Sequence, residues 1–157
     1  MSNNNTKKKL KLKVSAIKEG TVIDHIPAPN LFKVITILGL DKIENQITFG
    51  TNLESEKQGS KAIIKVSNKF FENNEINKIA LIAPHAKLNI IKDYEVVEKK
   101  IVATPEIITG IVKCFNPKCI TNNEKVTTCF NVVSTSPATL RCRYCEKLTI
   151  GEQMKML

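Results

Sequence analysis

The chain has 157 residues, 42% of them hydrophobic, no tryptophan, and a formal net charge of +9. That length suits one mid-sized domain or two small ones, and the apolar content excludes a disordered chain. No stretch approaches the roughly 20 apolar residues of a membrane span, and the polar, basic start from Met1 to Lys9 lacks the apolar core of a secretory signal. A cytoplasmic protein is expected, whose thiols stay reduced and favour metal over disulfides.

After a tail carrying Lys7, Lys8, Lys9, Lys11 and Lys13, residues Leu10 to Ile17 alternate apolar and polar and predict a half-buried strand. Gly20 is expected to break it, with a second extended piece at Thr21 to Ile26. Pro27 and Pro29 stop regular pairing and open a helix over Leu31 to Leu40. Its apolar residues are dense enough to predict that it is mostly buried, while its β-branched residues also fit a strand. Strands are predicted at Ile47 to Gly50 and Ala62 to Val66, with a polar loop from Thr51 to Ser60 between them. Ile76, Ile79 and Ile82 have helical spacing within Phe70 to Ile82, and Pro84 closes that helix. Strands at Ala86 to Ile91 and Tyr94 to Val97 complete this half. The succession strand, helix, strands, helix, strand predicts an α+β fold: a ferredoxin-like split βαβ sheet with helices packed on one side.

Pro105 and Gly110 mark the entry to a second module, which divides the chain into domains 1–103 and 104–157. Short strands are predicted at Val126 to Val133 and Thr139 to Cys142, joined by a turn at Ser134 to Pro137. Cys114 and Cys119 lie in C-F-N-P-K-C, and Cys142 and Cys145 in C-R-Y-C. Two short-spaced pairs far apart in sequence suit one tetrahedral Zn²⁺, each pair filling two corners. The expected result is a small zinc-ribbon-like β domain whose hairpin turns present both pairs. Iron–sulfur clusters also use four thiolates, though usually at other spacings. Four thiolates saturate a tetrahedral ion and leave no open position, which speaks for a structural rather than a catalytic metal. A thioredoxin-like reading of C-R-Y-C lacks the surrounding βαβ unit. Cys129, in the apolar run Cys129-Phe130-Asn131-Val132, reads as a buried strand residue.

With four thiols deprotonated on one Zn²⁺ the second module is close to neutral, so the positive excess belongs to the first. Such an excess attracts nucleic acid or a nucleotide triphosphate, or simply solubilises a frayed terminus. Enzymatic signatures are missing: there is no phosphate-binding G-x-x-x-x-G-K-S/T, no G-x-G-x-x-G and no H-E-x-x-H. His85 reads as a surface loop residue. Asp24 and His25 are one strand step apart, which puts them on opposite faces and predicts no Asp–His pair. Lys61 and Lys65 are evenly spaced and point to one side of a strand. Alone such a pair reads as a solvated face; with Lys99 and the basic first strand it can form a cationic patch for a triphosphate.

Three segments resemble a known family: Val14 to Ala28, Ile47 to Leu53 and Ala83 to Val97. Together with the four cysteines and Cys145-Glu146-Lys147, they are similar, in the same order and over almost the whole chain, to the regulatory chain of aspartate carbamoyltransferase. The longer lysine-rich N-terminus and the loop Phe115 to Lys118 depart from that pattern. The resemblance implies a non-catalytic allosteric subunit of pyrimidine biosynthesis, with CTP as inhibitor, ATP as activator and UTP as a further candidate effector. It implies a nucleotide pocket built from Val14, Ala16, Ile17, Asp24, His25, Lys61, Lys65, Asn89, Ile91, Tyr94, Val96 and Lys99. In that pocket the backbone near Ala16, Ile17, Asn89 and Ile91 would read the base edge. Asp24 and Lys65 would face sugar hydroxyls, with Lys61 and Lys99 near phosphate. It also implies a homodimer through the N-terminal sheet, three such dimers linking two catalytic trimers, and docking onto the catalytic chain through Asn116, Arg143, Tyr144, Glu146 and Lys147. The competing reading, from the basic tail and the metal module, is a zinc-ribbon nucleic-acid-binding protein, which steep salt dependence would mark. A thiol-dependent enzyme would instead lose its activity on alkylation of one cysteine.

Overall fold

The computed structural model describes residues 16–55, 59–135 and 137–157. Strands β1 (Gly20–Pro27), β2 (Ile47–Ser55), β3 (Gly59–Ser67), β4 (Lys87–Lys92) and β5 (Glu95–Ile101) form one antiparallel sheet in the order β2-β3-β1-β4-β5. Helix α1 (Leu31–Ile37) follows β1, and α2 (Asn73–Asn77) follows β3. Without the edge strand β5, this is the split βαβ order: each helix carries the chain past one strand before it re-enters the sheet. Leu31, Val34, Ile76 and Ile79 are buried in one cluster with Ile23, Ile64 and Leu88, which puts both helices on the same face. Alternation along β3 sends Ala62, Ile64 and Val66 into that core and leaves Lys61, Ile63 and Lys65 on the other face.

Several expectations are corrected. Gly20 opens β1 instead of ending a strand. Its φ is 140°, and a side chain there would run into the carbonyl oxygen of Val66, so glycine lets β1 lie between β3 and β4. Of the strand predicted at Leu10 to Ile17, only Ala16 and Ile17 lie within the described residues, and both are irregular. Helix α1 buries only Leu31 and Val34, so it is half covered rather than mostly buried. β2 runs on to Ser55 through residues predicted as loop. It is an edge strand, where the ladder forms without apolar side chains, and a bulge between Gly50 and Leu53 absorbs the broken alternation. The predicted helix at Phe70 to Ile82 shrinks to Asn73–Asn77. A Glu72–Glu75 capping box starts it, but asparagine side chains compete for backbone bonds, and the chain continues as tight turns through Ala80 N–H to Asn77 O and Ile82 N–H to Ile79 O, each 3.1 Å. Ile76, Ile79 and Ile82 are buried all the same. Tyr94 is a turn residue, not a strand residue: Asp93 and Tyr94, at φ 50° and 65°, form the two-residue loop of the β4–β5 hairpin.

The second half contains β6 (Ile107–Thr109), β7 (Val112–Lys113), helix α3 (Ile120–Asn123), β8 (Cys129–Thr135), β9 (Ala138–Cys142), β10 (Leu148–Ile150) and β11 (Lys155–Met156). Four strands make a sheet in the order β10-β9-β8-β6, and β11 pairs separately with β7. β8 begins at Cys129, not at Val126. Its core is small: Phe130, Leu140 and Val112 are fully buried, joined by Ile108, Cys119 and Cys142. The two cores meet at Met156, which packs against both, and Leu81 of the first half packs against the second cluster. Among the described residues no helix is long and apolar enough to cross a membrane.

Candidate metal centre and the open face of the first sheet

The four cysteines converge although they come from two separate segments. Cys114 follows β7, Cys119 is the residue before α3, Cys142 ends β9, and Cys145 lies in the turn leading to β10. Only the second pair sits in a hairpin turn; the first lies between a strand and a helix, contrary to expectation. All four sulfurs lie within 4.8 Å of one another, and all four thiols are free. The Cys114–Cys145 and Cys119–Cys142 separations are 3.6 and 3.7 Å. Sulfurs bound at about 2.3 Å around a tetrahedral ion stand about 3.8 Å apart, so the cluster has the size and donor set for such a metal. Hydrogen bonds already point at the sulfurs: Thr121 Oγ1 donates to Cys119 at 3.2 Å and the Tyr144 N–H to Cys142 at 3.4 Å. The turn holding the second pair is closed by Glu146 N–H to Cys142 O at 2.9 Å and Cys142 N–H to Lys147 O at 3.0 Å. Asn122 braces the first, donating to the carbonyls of Cys114 and Asn116 at 2.9 and 2.8 Å. Asn123 does the same for Cys119 O at 2.8 Å.

Without metal two of the four thiols resist ionisation. Burial pushes Cys114 up to about 12 and also raises Cys142. Cys145 is lowered to about 7, since the Lys147 N–H and the Asn116 side chain outweigh the effect of its burial. Metal binding must therefore displace protons, and the sign follows: affinity falls as pH falls. Titrating Zn²⁺ into apo chain in buffers of different ionisation enthalpy is expected to show net proton release. A buffer-independent heat would contradict it. Cys129 lies outside the cluster and is half-buried, not buried; Thr109 Oγ1 is 3.9 Å and Arg143 Nη1 4.0 Å from its sulfur.

On the first sheet, the face away from the helices gathers most of the other candidate residues. Thr48, Lys65, Val22, Asn89 and Lys99 are successive direct cross-strand partners and form a row across all five strands. Lys65, second in this row, is buried, while Lys99 is exposed at its edge. Burial lowers the pKa of Lys65. Asp24 and His25 lie at a bulge: Ile23 pairs with Ile64 and Ile26 with Ala62, so the two residues between them together oppose one residue of β3. With His25 at φ 60°, both project to the open side, correcting the expectation of opposite faces. Asp24 Oδ2 lies 3.5 Å from His25 Nδ1, and Asp24 Oδ1 lies 2.9 Å from Lys61 Nζ. Ile91 pairs with Val96, and the Tyr94 N–H donates to Lys18 O at 3.0 Å, which brings the Ala16–Ile17 segment to the margin of the same face. Val14 lies outside the described residues.

Residues 12–103 match the allosteric domain of the aspartate carbamoyltransferase regulatory chain, and residues 106–155 match the metal binding domain of that chain. The chain belongs to the aspartate carbamoyltransferase regulatory chain family. It is 55% identical over 146 residues to the regulatory chain of Phocaeicola vulgatus, covering 93% of this chain and 94% of the relative. It is 53% identical over 150 residues to that of Porphyromonas gingivalis, covering 96% and 99%. A distant source gives the same result: the regulatory chain of Pyrococcus horikoshii is 56% identical over 145 residues, covering 91% and 95%. As a member of this regulatory chain family the protein is a non-catalytic subunit, with an allosteric domain and a metal-binding β domain.

The residues that the family resemblance assigns to docking all border the cysteine cluster. Arg143, Tyr144, Glu146 and Lys147 are exposed on the second turn, with Glu146 at φ 64°, and Asn116 lies on the first. Reading the sequence missed Asn122 and Asn123, whose side chains hold the first cysteine loop. Their signal was an asparagine pair directly after a short-spaced cysteine pair, where free backbone carbonyls need donors.

Proposed function

We propose that this chain is the allosteric regulatory subunit of aspartate carbamoyltransferase in cytoplasmic pyrimidine biosynthesis. In this reading residues 1–103 bind CTP as inhibitor and ATP as activator, with UTP a further effector, on the open face of the first sheet. Residues 104–157 hold one structural Zn²⁺ through Cys114, Cys119, Cys142 and Cys145 and dock onto the catalytic chain. Dimers formed through the N-terminal sheet link catalytic trimers. The observation that carries this is a family match over both halves of a chain whose open sheet face groups Asp24, His25, Lys61, Lys65, Asn89 and Lys99, and whose thiols form one metal-sized cluster. The chemistry is suitable at each point. Lysine ammonium groups make charge-assisted bonds to phosphate, and Asp24 offers acceptors to ribose hydroxyls.

Titration calorimetry of CTP and ATP, with and without catalytic trimer, tests the reading. Both nucleotides are expected to bind one site competitively, and the trimer to change their affinities by unequal factors, since coupling is reciprocal. Nucleotide affinities indifferent to the trimer would remove the allosteric role. Binding of RNA or DNA with steep salt dependence, and no nucleotide binding, would favour the nucleic-acid reading.

A further inference from the structure

Building on the docking role above, we propose that Lys113 and Lys155 form a carboxylate clamp for an acidic segment of the catalytic chain. The two lysines are direct cross-strand partners on the β7–β11 ribbon, so their side chains leave one face together. Directly opposed like charges repel and weaken a strand pair, which a purely structural ribbon has no reason to keep. Both lysines are exposed, and they line a cavity of about 380 Å³ with Phe115, Pro117, Asn122 and Gln153. Among the described side chains no carboxylate lines this cavity, and no ion pair reaches either ammonium.

Charge complementarity therefore asks for an anion, and the neighbouring surface indicates where it comes from. An adjoining cavity of about 590 Å³ shares Phe115, Pro117 and Gln153 and continues to Asn116, Glu146 and Lys147, which belong to the proposed docking surface. A segment of the catalytic chain lying along this groove crosses the docking turns and ends between the two ammonium groups. Cys114 also lines the first cavity, so the metal-bound loop forms one wall of the clamp. The lysine pair itself lies outside the set of docking residues that the family resemblance implies.

The test uses the metal-loaded full chain and the catalytic trimer. Carbodiimide joins amines to carboxylates in contact, and mass spectrometry is expected to find Lys113 or Lys155 joined to an Asp or Glu of the catalytic chain. The double variant Lys113→Glu, Lys155→Glu is expected to weaken assembly roughly tenfold at low salt, with metal content unchanged. The gap should close as salt is raised. Lys113→Gln with Lys155→Gln is expected to weaken assembly while the free chain melts no lower, because the substitution removes a repulsion. A purely structural role predicts a lower melting temperature and equal assembly. Unchanged affinity and salt dependence in both double variants, without a cross-link at either lysine, overturns the clamp and leaves the docking role standing. A wild-type chain that does not bind the trimer at all overturns both. Inorganic phosphate bound by the free chain, and lost in the same variants without any change in assembly, overturns the choice of occupant.

Discussion

Chelating the metal is expected to unfold the C-terminal β module and abolish binding to the catalytic chain, while the first sheet keeps binding nucleotide. The module's core is built on Phe130, Leu140 and Val112, and three of the four cysteines, Cys114, Cys119 and Cys142, are part of that core. A core of this size supplies at most a few kcal/mol by itself. Binding of a structural Zn²⁺ contributes about 10–16 kcal/mol in small metal-dependent folds, so the metal decides whether the module folds. The proposed docking residues Asn116, Arg143, Tyr144, Glu146 and Lys147 lie in or beside the loops that the cysteines hold, and they lose their arrangement with the fold. The first sheet has its own, larger core and no thiol in it. Circular dichroism and sedimentation with catalytic trimer would follow the loss, and Cys142→Ser should reproduce it. An apo chain that still unfolds cooperatively through its C-terminal module and still assembles would contradict the prediction.

Replacing Lys65 by alanine is expected to weaken CTP binding by about 1.5–3 kcal/mol, the range for a hydrogen bond to a charged group, or roughly tenfold to a hundredfold in affinity. Lys65 sits in the cross-sheet row, buried, between Thr48 and Val22. Its burial lowers its pKa below the ordinary 10.5. The sign matters for the free chain. Below the folded-state pKa the charged side chain costs stability, and stability rises with pH from that lowered value up to the unfolded one. Lys65→Met, which keeps the stem and removes the charge, should therefore abolish that rise in stability with pH in the nucleotide-free chain. The same change should weaken CTP binding. Lys99→Ala, on the exposed edge strand, should act in the same direction with a smaller effect. Calorimetry paired with thermal melts reads both signs. Equal CTP affinity in Lys65→Met would take the residue out of the site.

What the sequence made legible was chemistry that depends on residue type and short spacing. Two cysteine pairs announce a thiolate cluster wherever the chain folds, and apolar residues such as Ile76, Ile79 and Ile82 are buried whether or not they form one continuous helix. Edge strands and irregularities were harder to read. The polar stretch Thr51 to Ser55 pairs through its backbone, which carries no sequence signature of its own. The Asp24–His25 bulge did leave a trace: Ile23 and Ile26 are three residues apart, an odd spacing that a regular strand cannot bury on one face, yet both are buried. Taking that mismatch seriously would have placed Asp24 and His25 side by side. The turn at Asp93 and Tyr94 is similar, since left-handed backbone is less common at tyrosine than at glycine or asparagine.

The placement of the metal ligands along the chain also sets an order of assembly. Cys142 and Cys145 come near the end of the sequence, and β7 finds its partner only in Lys155–Met156. During synthesis the first sheet is complete long before its neighbour can close, because domains fold as units from the N-terminus. For that interval the chain is a finished allosteric half attached to an open loop bearing two unmatched thiols. Metal capture therefore comes last, when Met156 also closes the seam between the two cores. On the proposed function, a newly made chain would be able to sense nucleotide before it could join a catalytic trimer.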